Sequence, residues 1–135
     1  MIEPEMLDRL LSAARTAQRR AHAPYSKFHV GAAFLTSHGR VITGCNVENA
    51  SYGLTMCAER VAIGRIVVED AGIPNLCVVV GPTNDPLTPC GACRQVLAEF
   101  NPQMEIYCVS MDGQIAVYTA AELLPAGFSA SALDR

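Results

Sequence analysis

The chain has 135 residues, half of them hydrophobic and 17% charged, with a net charge of -3. That length suits a single domain over 1–135 that buries roughly two thirds of its unfolded surface, and the composition excludes a disordered chain. The ten lysines and arginines are scattered apart from Arg15, Arg19 and Arg20, so no basic stripe offers itself to a nucleic-acid backbone and no such partner is expected.

The opening MIEPEMLDRL carries acids where a secretion signal needs a basic start, and no apolar run reaches the length of a membrane span. The cytoplasm is therefore the expected compartment. Six cysteines in a reducing compartment point to metal or catalysis rather than to disulfides.

Pro4 and Glu5 make a helix start, and Met6, Leu7, Leu10, Leu11 and Ala14 recur at helical spacing. This helix is predicted to end near His22, because Pro24 disfavours helical geometry at Ala23. Phe28 to Thr36 alternates and is rich in strand formers, and the turn around Gly39 leads into Val41 to Cys45, which predicts an antiparallel hairpin. Asn46 to Thr55 reads as a loop. A helix is expected over Cys57 to Val68, closed off by Gly72 and Pro74, and Leu76 to Val80 reads as a strand buried on both faces. A further helix runs from about Cys90 to Phe100. Ile106 to Ser110 and Gln114 to Tyr118 flank an Asp112-Gly113 turn, and Ala120 to Leu124 makes a short helix. Strands alternating with helices predict a three-layer α/β/α arrangement around a mixed five-stranded sheet.

Two blocks carry the chemistry. In PCGACR, Cys90 and Cys93 stand three apart at a helix start, on one face, where the helix dipole favours thiolates. In MCAER, Cys57 opens another helix and can join them. Three protein ligands with a fourth position left to water is the pattern of catalytic zinc, whereas structural zinc takes four. Cys45, Cys77 and Cys108 lie in or beside strands and read as small hydrophobes, and the three histidines as surface or packing residues. Residues two apart in mid-helix point nearly opposite ways, so Cys57 and Glu59 share a target only at a helix start facing metal. There Glu59 would accept a proton from the metal's water and pass it to substrate; otherwise it is a favourable N-terminal helix charge.

Cys57-Ala58-Glu59 with Pro89 to Cys93 resembles the zinc nucleobase deaminases, in which His is the usual first ligand and Cys stands here. PYSKFHVGAA (24–33), GCNVENASYGLTMCAER (44–60), PCGACRQVL (89–97) and ELLP (122–125) together resemble the small homotetrameric cytidine deaminases. The resemblance implies one Zn²⁺ per subunit on Cys57, Cys90 and Cys93, with Glu59 as the catalytic proton shuttle. It implies that Phe28 stacks on the pyrimidine, that Asn46 and Glu48 hold the ribose 3'-hydroxyl, and that Ala58 contacts substrate. Arg60 would donate to the thiolates, and Ala50, Tyr52 and Phe128 would act in sites shared between subunits. The implied reaction is hydrolytic deamination of cytidine and 2'-deoxycytidine in pyrimidine salvage, a zinc-activated hydroxide attacking C4. A deaminase of another small aminopyrimidine nucleoside, a nucleic-acid editing deaminase, a non-enzymatic zinc module and a Cys90–Cys93 redox protein stay open beside it.

Overall fold

A computed structural model describes residues 2–133. The elements run α1 (Pro4–Arg19), β1 (Gly31–Thr36), β2 (Val41–Cys45), α2 (Ala58–Val68), β3 (Pro74–Val80), α3 (Gly91–Phe100), β4 (Glu105–Val109), β5 (Ile115–Thr119) and α4 (Ala120–Leu123). Single 3₁₀ turns lie at Tyr52–Leu54 and Ala130–Leu133. The strands form one mixed sheet in the order β2-β1-β3-β4-β5, in which only the β3–β4 pair is parallel. The expected architecture is therefore the observed one.

Alternation along the central strands divides two apolar layers. Leu10 and Ala14 of α1 pack on Ala33, Val78, Val80, Tyr107 and Val109. The opposite side chains of the same strands, among them Ala32, Phe34, Cys77, Val79, Ile106 and Cys108, meet Ala58, Ala62, Ile63 and Ile66 of α2, Leu97 of α3, and Leu123 of α4. Side chains two apart on a strand share a face, so a strand buried on both faces must be apolar throughout, as Leu76 to Val80 is.

Boundaries of β3, α3, β4, β5 and α4 differ from expectation by a residue or two, and three further differences have a clear local reason. Helix α1 stops at Arg19 because the His22 N–H donates to the Asn46 carbonyl and the His22 carbonyl accepts from Glu48, which pulls the chain into an extended bridge. Strand β1 begins at Gly31 rather than Phe28. The Asn46 side chain accepts from the Val30 N–H at 2.9 Å and donates to the Phe28 carbonyl at 2.7 Å, taking the place of a neighbouring strand. Helix α2 begins at Ala58, leaving Cys57 as its N-cap with extended backbone angles.

Topology places the site. Strands β2 and β3 both run antiparallel to β1, so they are parallel to each other, and Gly31 pairs with the last residue of each, Cys45 and Val80. Helix α2 follows β2 and α3 follows β3, each starting beyond that same edge of the sheet and packing in the same layer. Ligand sites of open α/β sheets lie at such strand ends. Close packing of α2 depends on Gly44, where a Cβ would fall 2.4 Å from the Ala58 carbonyl oxygen and 2.7 Å from the Ala62 nitrogen.

Candidate active site

Cys57 and Cys90 are the N-caps of α2 and α3, and neither side chain caps its helix, which leaves both sulfurs free to face each other. Their Sγ atoms stand 3.6 Å apart, and with Cys93, one turn into α3, all three sulfurs lie within 4.8 Å of one another. Cys93 is buried, Cys57 half-buried and Cys90 exposed, so the cluster is closed behind and open in front. Tetrahedral zinc with thiolates at about 2.3 Å holds its sulfurs about 3.8 Å apart, which this spacing fits.

The electrostatics favour an ionised Cys57. A hydrogen bond from the Cys93 thiol, aided by Arg60, pulls the Cys57 pKa down to about 5, while the same shared proton and burial push Cys93 up. Arg60 donates through Nη2 to Cys57 Sγ at 3.7 Å and to the Thr55 carbonyl at 3.2 Å. Its Nε is buried and has no hydrogen-bond partner among the described residues.

Glu59 is 4% exposed, although acidic side chains are almost never buried without a partner cation. Burial pushes its pKa up to about 7, with the nearby Cys57 adding to the rise. A carboxyl of that pKa exchanges protons readily near neutral pH. It opens into a cavity of about 190 Å³, which Phe28, Asn46, Cys57, Ala58 and Cys90 also line.

Val30, Thr55, Leu87 and Thr88 complete the wall, and the sequence reasoning did not single them out. Thr88 and Leu87 immediately precede PCGAC, and that adjacency was the available signal.

Not every residue named from the sequence reaches this cavity. The Glu48 carboxylate accepts from the Ser26 hydroxyl, which chiefly lowers its pKa, and from the backbone N–H groups of Ser26 and Tyr25, which add to the drop. It lines an adjoining depression with Tyr25, Tyr52 and Thr55. Tyr52 is 75% exposed and pairs edge-to-face with Tyr25, and Ala50 is exposed beside it. Phe128 lies in another depression with Ala98, Pro102 and Leu124, apart from the thiolates within this chain. Cys77 and Cys108 are buried strand residues, and the six cysteines form no disulfide.

A sulfur cluster with an open side and a buried acid, set at strand ends of an α/β/α sheet, is an arrangement that can hold a metal ion beside a proton-exchanging group. Residues 4–110 match the family model described as the cytidine and deoxycytidylate deaminase zinc-binding region. A cytidine deaminase of Sporosarcina psychrophila is 44% identical over 91% of this chain and 91% of its own length. One of Halalkalibacterium halodurans is 45% identical over 93% and 96%. The crystal structure of cytidine deaminase from Burkholderia pseudomallei, 46% identical, superposes with a TM-score of 0.85 over 90% of this chain and 98% of that one. The chain belongs to the zinc-dependent cytidine deaminase family, and its Cys57, Cys90 and Cys93 cluster fits the family's metal.

Proposed function

We propose that this protein, a single domain over 1–135, hydrolyses cytidine and 2'-deoxycytidine to uridine and 2'-deoxyuridine with release of ammonia, in pyrimidine salvage. The observation that carries this reading is Glu59, buried beside three clustered sulfurs at the wall of the cavity. Zinc held by Cys57, Cys90 and Cys93, when bound, supplies a Lewis acid that makes water nucleophilic near neutral pH. Glu59 would take one proton from the attacking water as its oxygen bonds to C4 and deliver it to N3 of the pyrimidine; it would then take the proton left on that C4 hydroxyl and pass it to the amino group, which departs as ammonia as the C4–N bond breaks and C4=O forms.

The remaining residues hold the nucleoside. Phe28 lines the cavity and offers an aromatic face to the base. Ala58 occupies the first position of α2, where a backbone N–H has no helical partner and can donate to a base oxygen. Asn46 spends one amide hydrogen and one acceptor site on the Phe28–Val30 backbone, which orients its remaining hydrogen and lone pair for the ribose 3'-hydroxyl. Glu48, fixed by Tyr25 and Ser26, accepts from that hydroxyl.

Ala50, Tyr52 and Phe128 act across subunits of a homotetramer, with active sites at the interfaces. In support, Tyr52 and Phe128 are large, apolar and uncovered within one chain. The acidic net charge and a cavity wall without Lys or Arg favour a nucleoside over a nucleic acid. No helix among the described residues is long and apolar enough to cross a membrane, and six unpaired cysteines suit the cytoplasm.

The test is an ammonia-release assay over cytidine, deoxycytidine, cytosine, dCMP and adenosine, with and without a chelator, on the wild type and Glu59→Gln. The expected result is turnover of the two nucleosides alone, abolished by the chelator and reduced more than tenfold in a variant that still holds zinc. Preferred turnover of another substrate overturns the assignment, and a Glu59→Gln variant with more than a tenth of wild-type activity overturns the role of Glu59.

A further inference from the structure

The entry into α3 is tied down by a single guanidinium. Arg94, one turn beyond Cys90, folds back so that Nε donates to the Pro89 carbonyl at 2.8 Å, Nη2 to the Thr88 hydroxyl at 3.2 Å, and Nη1 to the Leu123 carbonyl at 3.2 Å. The three acceptors lie immediately before Cys90, on the cavity wall, and at the last residue of α4, whose terminal carbonyls lack helical partners. One rigid fork therefore spans the loop that delivers Cys90 and the helix that backs it.

Arg60 repeats this geometry on α2. It donates to the carbonyl of Thr55, two residues before Cys57, as Arg94 donates to that of Pro89, one residue before Cys90. The two differ in what the rest of the fork does. Arg60 turns toward Cys57 Sγ, whereas Arg94 directs every hydrogen bond it makes among the described residues to backbone or hydroxyl oxygen. Cys90 needs such support more than its partners do, because it is the exposed member of the cluster.

We infer that Arg94 is a positioning residue for the metal centre: by holding Thr88 and Pro89 it sets Cys90 Sγ against Cys57 and Cys93, and so governs how tightly zinc is kept. This rests on the reading of the three cysteines as zinc ligands. Groups that orient metal ligands typically contribute ten- to hundredfold to metal affinity when removed. A lysine at position 94 would keep the charge but reach one acceptor rather than three.

The experiment follows zinc transfer from purified holoprotein to a chromogenic chelator, together with thermal unfolding and the thiolate-to-metal absorption of the cobalt-substituted protein. Arg65→Gln is the control, since Arg65 likewise binds a backbone carbonyl, that of Thr43, but on the far part of α2. Arg94→Gln should release zinc at least tenfold faster than Arg65→Gln and shift the cobalt absorption, with Arg94→Lys in between. Zinc release within twofold of the control, with an unshifted spectrum, overturns the proposal even where the variant is less stable. If Arg94→Gln does not fold, Arg94→Lys decides: release threefold or more above the control supports the role, and anything less overturns it. A wild type that binds no zinc overturns the ligand reading itself, and this inference with it.

Discussion

Arg60 Nη2 stands 3.7 Å from Cys57 Sγ, and the same guanidinium reaches the carbonyl of the loop that brings Cys57 to the helix. Three thiolates on a divalent cation leave a net charge of -1, which weakens the metal as a Lewis acid. With zinc bound, a permanently charged guanidinium beside one sulfur would draw electron density from it and offset that loss.

Replacing Arg60 by Gln should therefore lower turnover about ten- to hundredfold, with a smaller loss of metal affinity. The measurement is kcat and zinc content on the same preparation. Full activity in Arg60→Gln would show that the charge balance of the sulfurs does not limit the chemistry.

Glu59 imposes a pH-dependent cost on the metal-free protein. Its folded pKa of about 7 lies above the ordinary carboxyl value of 4.5, so folding favours the protonated form. The folded state is unpenalised below pH 4.5, loses stability progressively between 4.5 and 7, and above 7 carries the full penalty, at most about 3 kcal/mol. Chelator-treated Glu59→Gln should thus exceed the chelator-treated wild type in stability at pH 8 and match it at pH 4. Urea titrations at both pH values check this, and a gap that is equal at the two would contradict it.

Gly44 lets the first turn of α2 lie directly on β2. Gly44→Ala would push a methyl into the backbone of Ala58 and Ala62, so α2 must shift, at a cost of about 1–3 kcal/mol. Because Cys57 and Glu59 begin that helix, zinc content should fall as well. Gly64→Ala, on the same helix with open space around it, should instead stabilise by up to about 1 kcal/mol. Thermal unfolding and zinc analysis of the two variants separate steric fit at the site from helix propensity.

Periodicity made most of the elements legible. The apolar run of β3, the Pro4 start of α1 and the hairpin of β1 and β2 all rest on signals within a few residues of one another. The misassigned stretch, Phe28 to Val30, alternates like a strand but is paired by the side chain of Asn46, eighteen and sixteen residues away, a substitution that no local pattern reports. The capping box that starts α4, in which Thr119 and Glu122 bond reciprocally, was readable as T-x-x-E and went unused. Tyr25 and Ser26, which hold the Glu48 carboxylate, lie in the PYSKFHVGAA block, but no local pattern there pointed to that contact.

By itself the sequence determined the donors: three cysteines and one acid, each beside a helix start, where short-range geometry and the helix dipole decide what a side chain can do. The tertiary structure alone decided that Cys57 and Cys90, thirty-three residues apart, come within 3.6 Å. It also decided that Glu59 is buried beside them and that Phe28 and Asn46 share their cavity. The physical reason is topological. The shared antiparallel partner β1 aligns β2 and β3, both helices start beyond one edge of the sheet, and Gly44 admits α2 to backbone contact there.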